Sequence, residues 1–358
     1  MNIEDLLVMT ASSGASDIHL TVGNPPAFRI DGELSVPADL DPMTDEGMAA
    51  GLERVLDQGQ LDAFKRDLEM DFALDITGAG RFRGNAAMER GHISLVFRHI
   101  TELALDVDEL GLPAVCRDLA VRPRGLVVVT GPTGSGKSTT LAAMIEYINC
   151  NTSRRVVSLE DPIEYLFKNQ RSVITQREVG SDTHSFAAAL GRVLRQNPDV
   201  IMVGEMRDPE TMSAVLTAAE TGHLVFTTAH APGAPQAVDR IVDMFPPYQQ
   251  HQVRSQLSAV LEGVLYQRLV PKAKGKGRVA AIEVMLGTYA VRNLIREGKI
   301  HQLYGTMQLG SGLGMQTLDQ ALMRLRRAGV ITEEAALANC VSREELKDHT
   351  TLPALARA

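Results

Sequence analysis

The sequence predicts an α/β protein made of a small N-terminal α+β unit and a larger domain in which helices cover a parallel sheet. One observation behind this is the stretch GLVVVTGPTGSGKSTTLAAM, residues 125–144, where a β-branched apolar run leads into a glycine-rich turn and then a helical pattern. Another is the alternation that follows. Strand-like runs at Leu126–Thr130, Val156–Leu159, Val200–Val203 and Leu224–Thr228 are separated by helical segments such as SFAAALGRVLR, whose Phe186, Leu190, Val193 and Leu194 share a face. The third is the different texture of residues 1–100, where short alternating runs are punctuated by turns.

Taken in order, Asp17–Val22 and Ala27–Ile30 alternate like strands, and Asp31-Gly32 is a turn signal. Residues 44–68 read as helical, and RFRGNAAMER with HISLVFRHI reads as a strand pair around Gly91. These place an N-terminal domain at 1–100. Residues 101–124, with DELGLP and RPRG, read as an interdomain linker. The nucleotide-binding core spans 125–288 and closes with a hairpin around PKAKGKGRVAAIEVML; residues 289–358 form a helical C-terminal region. The basic run Lys272–Arg278 is spaced by glycines, so it reads as a solvated hairpin loop and not as a nucleic-acid patch.

Bulk properties narrow the function. The net charge of −8 argues against a dedicated nucleic-acid binder, which usually presents a basic face. Cys116, Cys150 and Cys340 are far apart and form no C-x-x-C, so they neither staple the fold nor bind zinc; a reducing compartment is expected. The start MNIEDLLVMT is acidic, unlike a secretory signal, and no apolar run reaches the ~18 residues of a membrane span. Any membrane association is therefore expected to go through a partner.

The chemistry starts at Gly131, Pro132, Thr133, Gly134, Ser135, Gly136, Lys137 and Ser138, which match G-x-x-x-x-G-K-[ST] at every fixed position. The glycines let successive N–H groups converge on an anion, and the following helix points its positive end at the same place. Lys137 is expected to reach the β- and γ-phosphates of ATP, and Ser138 to ligate Mg2+. Hydrolysis needs acids at neighbouring strand ends. SLEDPIEY supplies Glu160, Asp161 and Glu164, and DVIMVGEMRD supplies Glu205, with Gly204 where an aspartate is common. Glu205 would act through Mg2+ and Glu164 on the attacking water, or the two roles are exchanged; the residues alone do not order them. His223 and His230 bracket one apolar strand, and His230 is the candidate reporter of the γ-phosphate. Arg81, Arg83 and Arg98 are either solvent-facing strand residues or arginines offered in trans to a neighbouring subunit's nucleotide.

These blocks together resemble one family. ASDIHL, RFRGN, GPTGSGKSTTLAAM, EDPIEY, QREVG, GEMRDPET, AAETGHLVF and AVRNLIRE occur in the order found in the type II/IV secretion ATPases, and most closely in their pilus-retraction branch. The resemblance runs from about residue 3 to residue 328. It implies a PAS-like N-terminal domain joined to a RecA-like P-loop ATPase domain, assembled as a homohexamer. It implies a motor that couples ATP hydrolysis to pilin disassembly and twitching motility. A PilC-like inner-membrane platform protein is the implied partner at the inner face of the cytoplasmic membrane, with a PilU-like paralogue as a second one. Carried over, Gly131 to Thr139 is the Walker A motif, Glu160 to Glu164 the aspartate box with Glu164 as catalytic glutamate, and Glu205 the Walker B glutamate. His223 and His230 match the histidine box, and Arg83 and Arg98 the trans arginines. Ala290 to Glu297 matches a retraction motif with Val291 in place of isoleucine. One stretch departs: HLVFTTAHAPGA carries Thr227, Ala229 and Ala231 where the family has a small residue, a larger one and usually a hydroxyl.

Rival readings are a PilU-like accessory retraction ATPase, a pilus-assembly or type II secretion ATPase, a RecA-like nucleic-acid translocase and a nucleotide-regulated binding module. The assembly and secretion enzymes usually carry a four-cysteine zinc motif, which this chain lacks. Net acidity opposes the translocase, and Lys137, Glu164 and Glu205 oppose a module without turnover.

Overall fold

The computed structural model describes residues 2–30, 32–100, 106–206, 208–275 and 277–348. The sequence reading also touched Met1, Asp31, residues 101–105, Arg207, Lys276 and residues 349–358, which lie outside the described residues. Contacts divide the chain into two units: Met1–Leu103 with Glu164–Leu166, and Ala104–Ile163 with Phe167–Ala358.

In the first unit helix α1 (Ile3–Ser12) precedes strands β1 (Asp17–Thr21), β2 (Ala27–Ile30) and β3 (Glu33–Ser35). Helices α2 (Asp45–Val55) and α3 (Gln58–Asp67) follow, then strands β4 (Glu69–Ile76), β5 (Gly80–Glu89) and β6 (His92–Ile100). The sheet order is β3-β2-β1-β6-β5-β4, antiparallel throughout. Ile18, Leu20, Phe82, Leu95 and Phe97 alternate inward and bury one face under α1 and α2 residues such as Leu6, Leu7 and Met48. The helical stretch 44–68 is two helices. Leu56 is extended and Asp57 starts α3, its carboxylate accepting from Gln60 N–H at 2.8 Å while Gln60 Oε1 accepts from Asp57 N–H at 3.0 Å.

The second unit begins with α4 (Val115–Ala120), β7 (Gly125–Thr130), α5 (Lys137–Asn151), β8 (Arg155–Glu160) and β9 (Val173–Glu178). It continues with α6 (Phe186–Val193), β10 (Val200–Val203), α7 (Pro209–Glu220), β11 (Leu224–Ala229), α8 (Ala234–Asp243) and α9 (Pro247–Val260). The antiparallel pair β12 (Leu261–Pro271) and β13 (Arg278–Leu286) is followed by helices α10 (Tyr289–Arg296), α11 (Leu303–Leu309), α12 (Leu318–Arg327), α13 (Glu333–Asn339) and α14 (Arg343–Asp348). The sheet order is β13-β12-β7-β11-β10-β8-β9, with every pair from β12 to β9 parallel. Strands β7, β10 and β11 are buried along their whole length, which is why they read as continuous apolar runs.

Three local differences from the sequence reading have physical causes. Residues 106–124 are no bare connector, because Val115, Cys116, Leu119 and Ala120 form the buried face of α4. Burial pushes the Cys116 thiol up to about 12, which leaves it inert. Strand β12 begins where α9 ends, with no turn residue between them to mark its start. Strand β9, VITQRE, lies at the sheet edge and is half polar, so it lacks the signature of a buried strand.

Candidate active site

The parallel register gathers the chemistry at one edge of the second unit's sheet. The carboxyl ends of β7, β11, β10 and β8 lead into Gly131, His230, Gly204-Glu205 and Asp161 respectively. Ligands of open parallel sheets bind at this edge.

The phosphate loop runs from the end of β7 to the start of α5. Gly131 has φ +150° and Gly136 φ +85°, conformations that a side chain would strain. At both positions space is also absent: a Cβ on Gly131 would collide with the Gln267 carbonyl, and one on Gly136 would lie 2.9 Å from Gln267 Nε2. Lys137 is buried, and its Nζ donates to the carbonyls of Gly131 (3.1 Å) and Pro132 (3.0 Å), so its charge sits over the loop. Ser135 Oγ is buried with no hydrogen-bond partner among the described residues. A buried hydroxyl in a glycine loop at a helix N terminus fits a phosphate oxygen. Ser138, half-buried in the first turn of α5, and Glu205 at the end of β10 are hard oxygen donors on the same sheet edge, the donor type Mg2+ takes alongside phosphate oxygens.

The acidic residues separate into different roles. Glu160 is buried; its Oε1 accepts from Ser158 Oγ at 2.6 Å and Gln176 Nε2 at 3.1 Å. Gln176 Oε1 accepts from Phe167 N–H at 3.0 Å, and Glu178 Oε2 accepts from Ile163 N–H at 3.0 Å. Glu160 is thus a brace under the loop that Asp161 begins, and Asp161 itself is exposed. Glu164 is exposed and falls in the first unit, whereas Glu205 is half-buried in the second. The backbone before Glu205 is held from two sides. Thr228 Oγ1 donates to the Gly204 carbonyl at 2.5 Å, and Gly204 N–H donates to the Leu159 carbonyl at 2.8 Å. Thr228, which is not among the departing positions, thus ties this strand end to its neighbour, while the departing Ala229 and Ala231 pack into the core.

The two histidines lie at opposite ends of β11. His230 is at the phosphate-loop edge, and its carbonyl accepts from Arg240 Nη1 at 2.5 Å. His223 precedes the strand, and its carbonyl accepts from Gly125 N–H at 3.0 Å, at the far end of β7. At ~3.3 Å per residue the seven steps between them amount to about 23 Å. The structure brings His230, and not His223, to the phosphate loop of its own unit.

Arg81, Arg83 and Arg98 belong to the first unit. Arg83 and Arg98 are directly opposite on β5 and β6, so two guanidinium groups share one face, and Asp17 extends the same row from β1. Like charges facing each other oppose strand pairing. The unit offsets this with Arg98 Nε to Asp17 at 2.8 Å and Arg83 Nη2 to Asp71 at 3.7 Å; Arg81 pairs with Asp75 at 3.0 Å. Burial pushes the Asp17 carboxyl up, but the Ser16 hydroxyl and the Arg98 guanidinium outweigh it and hold Asp17 below the usual carboxylate range. The Arg98 side chain remains 68% exposed. Two paired, exposed arginines on one face suit a multiply charged anion.

Sequence reasoning missed Gln267, Gln176 and Thr228. Gln267 and Gln176 sit in strands with no motif of their own. Thr228 had a visible signal, a hydroxyl beside the histidine-box departure, but its partner across the sheet was not visible.

The family model described as type II/IV secretion system protein matches residues 3–293. The type IV pilus retraction ATPase PilT of Pseudomonas aeruginosa is 46% identical over 336 residues, covering 94% of this chain and 97% of that protein. The type IV pilus ATPase PilU of the same organism is 43% identical, covering 97% and 91%. A crystal structure of the pilus retraction motor PilT with bound ADP superposes with a TM-score of 0.90 at 45% identity, covering 97% of this chain and 99% of that one.

Proposed function

Because the chain belongs to the type II/IV secretion ATPase family, we propose that it is the hexameric motor that retracts type IV pili, drawing pilin subunits back through an inner-membrane platform protein. The enzyme is an ATPase, converting ATP and water to ADP and phosphate. The observation that carries the reading is the near full-length likeness to an ADP-bound pilus retraction motor.

In this reading the N–H groups of Gly131 to Thr139 and the Lys137 ammonium hold the phosphates. Ser138 and Glu205 would hold Mg2+, which would supply charge neutralisation at the phosphates. Glu164 orients and deprotonates the attacking water, and His230 reads the γ-phosphate. Arg83 and Arg98, with Arg81 beside them, approach the phosphates of a neighbouring subunit and exchange their carboxylate partners for phosphate oxygens. His223, remote from its own unit's loop, acts at a neighbour's interface. Closure of each interface around ATP and its release after hydrolysis turn rigid bodies against each other around the ring. No helix among the described residues is long and apolar enough to cross a membrane; the platform protein supplies the anchorage at the inner face of the cytoplasmic membrane.

A second reading, an accessory retraction ATPase working beside a principal one, rests on the 43% identity to PilU, three points below the 46% to PilT. Filming labelled pili separates these. The principal-motor reading expects cells lacking this chain, or carrying only Lys137→Ala, to extend pili that are never withdrawn. Retraction that persists but stalls under load supports the accessory role. Bald cells contradict both.

A further inference from the structure

Gln267 is 2% exposed on β12, one residue beyond Tyr266, which pairs with Thr130 at the end of β7. It therefore stands level with Gly131, where the phosphate loop begins. Its amide is used at both ends. Nε2 donates to the Ser135 carbonyl at 2.7 Å, and Oε1 accepts from Thr140 Oγ1 at 2.7 Å. Its main-chain carbonyl occupies the space a side chain on Gly131 would need, and its Nε2 the space beside Gly136. One side chain thus ties the last residues of the loop to the first turn of α5 and fills the room that the two loop glycines leave.

The direction of the Ser135 bond matters. A trans peptide points its C=O and the following N–H in opposite directions. Pulling the Ser135 carbonyl toward β12 turns the Gly136 N–H away from β12, leaving that N–H free to donate to a phosphate. A glutamine is suited to this, because it donates to a carbonyl and accepts from a hydroxyl at once. A glutamate could accept from Thr140 but would oppose the Ser135 carbonyl. A methionine would fill the volume and leave two buried polar groups unsatisfied.

We infer that Gln267 is a positioning residue of the nucleotide site: through the Ser135 carbonyl and the Thr140 hydroxyl it holds the phosphate loop in its binding shape before nucleotide arrives. This rests on the reading of the loop as the nucleotide site, and the test separates the two. The full-length chain and its variants are titrated with ADP and Mg2+ by calorimetry, and thermal melting is recorded on the same samples. Wild-type protein is expected to bind ADP. Gln267→Met and Gln267→Glu are expected to bind about tenfold or more weakly while still melting cooperatively, since a lost buried hydrogen bond to a positioned group is worth about that factor. Thr140→Ser, which keeps the donor, should bind like wild type, and Thr140→Val several-fold more weakly. A side chain that served stability alone would lower the melting temperature and leave affinity unchanged, so wild-type affinity in a folded Gln267→Met overturns the inference. Where Gln267→Met does not fold, Thr140→Val decides in the same way. Wild-type protein that binds no ADP overturns the nucleotide-site reading itself.

Discussion

The phosphate loop and the arginine row of the first unit, both assigned to phosphate in the proposed function, are built in opposite ways. The loop is assembled by one unit from neighbouring strands. Lys137 is buried over it, Gln267 ties it to β12, and Thr228 fixes the strand end that carries Glu205. Arg83 and Arg98 lie on an exposed antiparallel face, opposite each other, with carboxylates from their own unit standing in as counter-ions. A site that must bind nucleotide at rest is pre-formed and buried. On that reading, a site that engages only when a neighbour arrives keeps its charges exposed and neutralised by carboxylates of its own unit. On the proposed reading, the difference is that of a motor whose binding is local and whose chemistry waits for assembly.

That contrast can be broken in several places. The largest effect is expected for Lys137→Ala, which should lower ATP turnover by at least about 10²-fold in a phosphate-release assay, as loss of a transition-state charge partner does. Turnover near wild type would remove the loop from catalysis. Arg98→Ala should cut turnover by about 10²-fold in the assembled ring, as loss of one positioned donor does, yet leave ADP affinity of the isolated subunit unchanged. Equal loss of both would place the arginine in its own subunit's binding site. Phe82→Ala removes a fully buried ring between Arg81 and Arg83 and should cost about 3–5 kcal/mol. Calorimetric melting should show the first unit lost while ADP still raises the melting of the second, and loss of both transitions together would deny their independence.

Smaller effects sharpen the comparison. Thr228→Val deletes the donor to the Gly204 carbonyl, a bond worth about 1 kcal/mol. Turnover should fall several-fold with ADP affinity retained. Asp17 has a folded pKa below its ordinary value, so its contribution to stability is present above the usual carboxylate range and is lost as pH falls through the lower folded value. The melting difference between wild type and Asp17→Asn should be constant at neutral pH and vanish in acid. It should be small, since Arg98 is largely in water. A difference that grows in acid would contradict the pairing.

How much of this was legible depended on how local the signal was. The phosphate loop could be read because residue type is constrained at every fixed position and the strand and helix flank it directly. The order of the sheet could not, because crossovers set which strand ends become neighbours. His230 was legible as the histidine at the carboxyl end of its strand, and the parallel register of β11 on β7 puts that end beside the phosphate loop and His223 at the other. Gln267 and Thr140 are 127 residues apart, and nothing in LYQRLVP announces a loop brace. The break at Leu56 was legible in the Asp57-x-x-Gln60 capping signal, but helical periodicity on both sides concealed it. The paired arginines stood in plain view, and their mutual facing appeared only with the strand register.

The most direct test is a mixing experiment. Lys137→Ala lacks a working loop and keeps its arginines; Arg98→Ala lacks the arginine and keeps its loop. Co-expressed and purified as mixed rings, they should recover a measurable fraction of wild-type ATP turnover, because some interfaces then pair an intact loop with a neighbour's intact arginine. Turnover that stays at the background of the single variants at every mixing ratio would contradict a site shared between subunits.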